Sequence, residues 1–291
     1  MLNRAEYVEQ TYFFRTLADR ICEHVPIQDV LAGLREETLT TTKLPLAIDY
    51  MLSELCHQGV VATAMSRLSH YFAPFQTYVV DEAENDRGRF DMRLAFKILQ
   101  CEAQYRAEDP TPQGIFLFQF ETICRNRLSY DCGLAAIAKD PLLNQQWKQW
   151  VLTVRRQIGL VDFADMVYVR SQYYRDRCAR GSPSFEAAAA RKGQEANAAA
   201  DAVVLFGENE GKIAWANRRK DPLFLFSALQ RQLGYPVIPR PQPADDSSQQ
   251  LPRFLRRIER LETRMKLVEE DSGKGIDLTQ FFHPPDRPGE D

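Results

Sequence analysis

Apolar residues recur at helical spacing through most of the first 180 positions. Phe14, Leu17, Ala18, Ile21 and Val25 make one stripe, and Ile48, Met51, Leu52 and Leu55 make another. Trp147, Trp150, Val151, Val154 and Ile158 repeat the pattern, followed by Phe163, Met166, Val167, Tyr173 and Tyr174. Spacings of three and four residues put such positions on one face of an α-helix, which must then be covered by a neighbour. Val79, Ala83, Phe90, Leu94, Ile98, Cys101 and Tyr105 read as one long helix or as two that break near Gly88. Pro26 and Pro45 suit the first turns of the helices after them, while Pro110 and Pro112 separate two others. The pattern predicts an all-α fold, an irregular helical bundle or array.

Three segments end alike: Arg127-Leu128-Ser129-Tyr130, Gln157-Ile158-Gly159-Leu160 and Gln232-Leu233-Gly234-Tyr235. They fall at no common period, which argues against a regular solenoid. Glycine just past a helix, with the next apolar residue folding back on the last turn, accounts for the two glycine cases.

Beyond Arg180 the pattern changes. The helical body, 1–180, gives way to an Ala-rich stretch, 181–201, which reads as a loose helix or a linker. In 202–235, Val203–Phe206 and Lys212–Trp215 flank Gly207-Glu208-Asn209-Glu210-Gly211 and predict one short β-hairpin near 203–215, with a helix from Pro222 to Leu233 behind it. Prolines 236, 239, 241, 243 and 252 make 236–252 a linker, followed by an amphipathic helix over 253–270 and a disordered tail over 271–291.

The C-terminal helix carries the most specific signal. Leu251, Phe254, Ile258, Leu261, Met265 and Val268 alternate at three and four residues, as a coiled-coil seam does. With Leu251 at position a, Arg257 and Arg264 fall at g and Glu262 and Glu269 at e, so both g–e′ pairs attract in a parallel dimer. The seam is short, so it predicts only a weak homodimer. Ile276, Leu278, Phe281 and Phe282 are large apolar groups in an otherwise polar tail and predict a docking segment.

Composition excludes more than it proposes. The chain has 291 residues, 44% apolar and 26% charged, with a net charge of −3. By segment the balance is 21 basic against 23 acidic residues in 1–180, 8 against 6 in 181–240, and 8 against 11 in 241–291. No segment shows the basic excess of a nucleic-acid binder, so nucleic acid is not expected as a partner, although a folded basic stripe can hide within a neutral total. Met1–Arg20 lacks an apolar h-region and no run is long enough to span a membrane, so a cytoplasmic protein away from membranes is expected. The six cysteines include no C-x-x-C pair and read as buried thiols.

Catalytic motifs fail on inspection. Gly207-x-x-x-Gly211-Lys212 resembles a phosphate-binding loop but is one residue short, and Ile213 stands where the Mg²⁺-holding hydroxyl belongs. Glu54-Leu55-Cys56-His57 supplies one Glu-x-x-His pair, whereas a di-iron bundle needs two. Asp81, Glu82, Glu84, Asp86 and Asp91, interleaved with Arg87, Arg89 and Arg93, read as a salt-bridged helix face. The aromatic clusters read as core. No catalytic residue, metal ligand or cofactor is assigned. The expected function is that of a non-catalytic interaction or assembly protein with an unidentified protein partner. The competing expectation is an enzyme or small-ligand-binding bundle whose pocket is built from scattered Arg, Tyr, Asp and Glu side chains.

Overall fold

Helix signals dominate the sequence, and the structure, a computed structural model, follows them. It describes residues 2–23, 25–85, 90–180 and 203–240, which lie in one compact unit, Met1–Pro241. The Ala-rich stretch 181–201, the seam residues 251–268 and the tail residues 276–282 lie outside the described residues.

Thirteen helices are described: α1 (Arg4–Cys22), α2 (Ile27–Glu37), α3 (Leu44–Gln58), α4 (Val61–Arg67), α5 (Pro74–Glu84), α6 (Met92–Ala107) and α7 (Pro112–Asn126), then α8 (Tyr130–Ile137), α9 (Gln145–Gln157), α10 (Phe163–Val169), α11 (Gln172–Ala179), α12 (Glu208–Ala216) and α13 (Pro222–Leu233). Helix α1 lies along α6, α2 packs on α3, α4 on α5, α5 on α8, α8 on α9, α10 on α12 and α13 on α7. No helix among them is long and apolar enough to cross a membrane.

Local chemistry sets the boundaries. Asn3, Asp91, Thr111, Asn144, Asp162, Ser171 and Asp221 cap helix N-termini by accepting a backbone N–H. The run from Val79 to Tyr105 divides into α5 and α6, the second opening at Asp91. Helix α13 closes on Gly234 at φ 69°, a left-handed conformation that glycine adopts without a Cβ penalty. Arg127 takes the same conformation at φ 55° after α7, so that helix end is made without glycine.

Two aromatic groups fill the core. Phe13, Phe14, Phe72 and Phe96 join α1, α6 and the turn before α5, with Phe14 and Phe96 stacked at 6.3 Å. Phe116 and Phe120 of α7 meet Trp147 and Trp150 of α9 and Phe163 of α10. Residues 203–240 complete this second group. Phe206 lies 5.2 Å from Trp147 and 5.3 Å from Trp150, Phe226 lies 5.8 Å from Phe120, and the Tyr235 hydroxyl donates to Glu121 at 2.8 Å.

The β-hairpin does not form. Val203–Phe206 is extended, but its partner is the α10–α11 turn: Leu205 N donates to Arg170 O at 2.8 Å and Gln172 N to Phe206 O at 2.9 Å. A single bridge, Ser171 to Phe206, results. The second run is helical because Glu208 and Glu210 occupy the first turn, where the helix dipole favours anions, and Glu208 pairs with Lys212 one turn on.

One further expectation is corrected. Cys22, Cys56, Cys132 and Cys178 are exposed and only Cys101 and Cys124 are partly buried, because the four lie on solvent-facing sides of their helices. Of the acidic run and its arginines, Asp86, Arg87 and Arg89 lie outside the described residues. Glu84 accepts the Val61 and Ala62 amides at 2.7 and 2.8 Å, capping α4 from α5, and Asp91 caps α6.

Candidate functional site

Two convergences of side chains stand out among the described residues, one sealed and one partly buried. In the sealed cluster, Glu102 and Arg106 stand one turn apart on α6, Gln119 faces them from α7, and Asp140 follows α8. The side chains of Glu102, Arg106 and Asp140 have no solvent exposure. Arg106 Nη2 donates to Glu102 Oε1 at 2.8 Å and to Asp140 Oδ2. Gln119 Nε2 donates to the same two oxygens at 2.7 and 2.9 Å, so two donors and two acceptors close a ring. The Leu142 amide adds a bond to Asp140 Oδ1 at 2.9 Å.

Burial alone would favour neutral groups here. It opposes the Arg106 charge, but the Glu102 and Asp140 carboxylates outweigh it and raise the guanidinium pKa. Burial likewise pushes Asp140 upward, yet Arg106, Gln119 and the Leu142 amide hold it below the usual carboxylate range. Tyr7 of α1 is pushed up by burial against the pull of Arg106. Glu102 Oε2, Arg106 Nε and Gln119 Oε1 make no hydrogen bond among the described residues.

Two clefts lie elsewhere. A groove of about 510 Å³ between α4, α5 and α8 is lined by Ser66, Tyr78, Asp81, Cys132 and Lys139 among others. A second, of about 370 Å³, runs beside α1 and α6 past Tyr12 and Gln104. No member of the sealed cluster lines either one.

The second is a partly buried cationic–aromatic cluster on α10, α11 and α12. Trp215 lies 4.8 Å from Tyr168, and the Arg177 and Arg218 guanidinium carbons each lie 4.4 Å from the Trp215 ring. Tyr173 has Arg177 at 5.9 Å and Lys212 Nζ at 5.8 Å. Burial raises the Tyr168 pKa against the opposing effect of Arg177 and Arg218.

Gly211 makes this arrangement possible, because a Cβ there would meet Ser171 Oγ at 2.3 Å and both the Ser171 and Tyr173 Cβ atoms at 2.7 Å. Gly211→Ala is therefore expected to force α11 from α12 and cost about 1–3 kcal/mol, read as a lower urea midpoint. A midpoint equal to wild type would show that the helices part without penalty.

The motifs weighed from sequence take bland roles. Gly207 opens α12 and Glu210 folds over it, its Oε2 only 2.4 Å from where a Gly207 Cβ would stand. That carboxylate occupies the helix end a phosphate would need. Glu54 pairs with Arg67 at 2.7 Å, and no cluster of three metal-ligating side chains occurs among the described residues. Sequence reading missed both real constellations. Glu102 and Arg106 interrupt the stripe of Ala95, Ile98 and Leu99 at helical spacing, a charged pair set into an apolar face. Arg and Tyr alternate from Tyr168 to Arg177, but their convergence with Trp215 depends on tertiary packing. The chain matches no family model, no curated protein and no solved structure.

Proposed function

We propose that this chain is a non-catalytic cytoplasmic interaction protein that self-associates weakly through residues 251–268 and docks a protein partner through Ile276, Leu278, Phe281 and Phe282. The observation that carries the reading is the sealed state of Glu102, Arg106 and Asp140: these buried charges bond one another and line neither cleft, as charges that brace helices do. Recognition then falls to surfaces and to the C-terminal segments. The heptad spacing from Leu251 to Val268 supports self-association, with g–e′ pairs of opposite sign. A ligand-binding bundle is the second reading, favoured by the groove that holds Tyr78, Asp81 and Lys139.

Light scattering on the full chain tests the first reading. The mass is expected to rise with concentration toward a dimer, and Leu261→Asn, which sets a polar group at a d position, is expected to hold it at the monomer. A concentration-independent monomer mass in the wild type, or dimerisation unchanged by Leu261→Asn, would remove the seam.

A further inference from the structure

Two unpaired charges of opposite sign line the groove between α4, α5 and α8. Asp81 and Lys139 are both exposed, and neither side chain makes an ion pair or a hydrogen bond with a described residue. Each stands at the end of a helical face. Pro74, Thr77, Tyr78 and Asp81 fall at i, i+3, i+4 and i+7 on α5, and Cys132, Ala135, Ala136 and Lys139 repeat those spacings along α8 and the turn after it. The start of α8 lies against the second half of α5. There the Tyr78 hydroxyl donates to Ser129 O at 2.8 Å, and a Cβ on Gly133 would meet the Tyr78 ring at 3.0 Å. Pro74 shares the groove with Ala136 and Lys139, so α8 runs back along α5 and the two charges stand at opposite ends. The seven residues from Pro74 to Asp81 span about 10 Å of helix.

Between those ends the walls are small and hydroxylic. Ala62, Ala135 and Ala136 carry only a Cβ, which leaves open a volume of about 510 Å³, within the range of small-ligand sites. The Thr63, Ser69 and Thr77 hydroxyls line it without bonding to a described residue, and Ser66 Oγ, which donates to Thr63 O at 2.7 Å, keeps its lone pairs. A dicarboxylate or a polyamine would satisfy one charge and be repelled by the other. A single amino acid is too short to reach both, since one extended residue spans at most about 3.6 Å and three span about 10 Å. We propose that this groove binds a short peptide of about three residues with both termini free, its ammonium on Asp81, its carboxylate on Lys139 and its amides among the hydroxyls. The alanine walls favour small side chains. The proposal rests on the ligand-binding reading of this groove and does not depend on the seam.

Alkylation of the full chain by iodoacetamide, read at each cysteine by mass spectrometry, tests it. Cys132 is exposed within the groove, whereas Cys56 and Cys178 are exposed outside it and serve as references. Trialanine at about 5 mM is expected to slow Cys132 at least about fivefold and leave the references unchanged, for a dissociation constant on the order of 0.1–1 mM. Acetyl-trialanine and trialanine amide each lack one terminal charge and are expected to bind about tenfold more weakly. Asp81→Asn and Lys139→Gln are each expected to weaken trialanine about tenfold, with unchanged circular-dichroism spectra because neither side chain has a bond to lose. Pairing the two sets assigns the ends. Asp81→Asn is expected to bind the acetylated and free peptides alike, and Lys139→Gln the amidated and free peptides alike. Wild-type affinity in both variants, or protection by free alanine or by doubly blocked trialanine equal to that by trialanine, would overturn the proposal and leave the groove a ligand site. No protection by any peptide at about 10 mM would overturn it too. A panel of monosaccharides, carboxylates and amines that also fails to protect Cys132 would remove the ligand-binding reading with it.

Discussion

Arg106→Met is expected to lower the unfolding free energy by about 3–5 kcal/mol, because two buried carboxylates lose the cation that lets them stay ionised. Glu102 and Asp140 have no solvent exposure, and the remaining donor, Gln119, is neutral. The pH dependence carries the sign. In the wild type the Asp140 pKa is lowered below its ordinary 3.8, so its contribution is present above about pH 4 and is lost as pH falls through the lower folded value. Without Arg106 burial is the dominant influence left on the Asp140 carboxyl, so it is held neutral instead and its folded pKa rises. The variant's deficit should then be largest at neutral pH and shrink as the pH falls toward about 4–5. Urea titrations of both proteins across that range check this, and a deficit that does not change with pH would show that the charges are not what the site depends on. Replacing Glu102, Arg106, Gln119 and Asp140 together by apolar residues of similar volume is expected to cost much less than the single change, since the desolvation penalty disappears with the pair.

Phe116→Ala is expected to cost about 3–5 kcal/mol. Its ring is fully buried, 5.0 Å from Trp150, 5.6 Å from Trp147 and 5.8 Å from Phe120, so truncation leaves a cavity among large rings that cannot easily collapse. Phe224 is the matched control: the same residue type, 64% exposed on α13, where alanine should stay within about 0.5 kcal/mol of wild type. Similar losses at the two positions would mean that ring burial in this group contributes little.

Helical periodicity was legible because burial imposes it. The stripes from Phe14 to Ile21, Ile48 to Leu55 and Trp147 to Val154 each belong to a helix, while Val25 and Ile158, read as their last members, fall past the ends of α1 and α9; the glycine after Leu233 ends α13 as its position suggests. The hairpin misreading shows where periodicity stops being informative. Three apolar residues, Ile213, Ala214 and Trp215, suit either state, and the choice rests on Glu208 and Glu210 in a first turn and on Gly211 fitting against Ser171. Only the first of these is visible in sequence. The sealed cluster was half legible: Glu102 and Arg106 sit within an apolar stripe, but Asp140 joins them across 34 positions through the packing of α8. The cationic–aromatic face escaped notice because charge was summed along the chain while the fold gathers it across two segments.

Phe206, Phe226 and Tyr235 come last in the described chain, yet they cover rings laid down near its middle. During synthesis from the amino end, Phe120, Trp147 and Trp150 therefore remain open to water until the polypeptide has been extended past Tyr235. A nascent intermediate of that kind exposes sticky surface, the kind on which chaperones act.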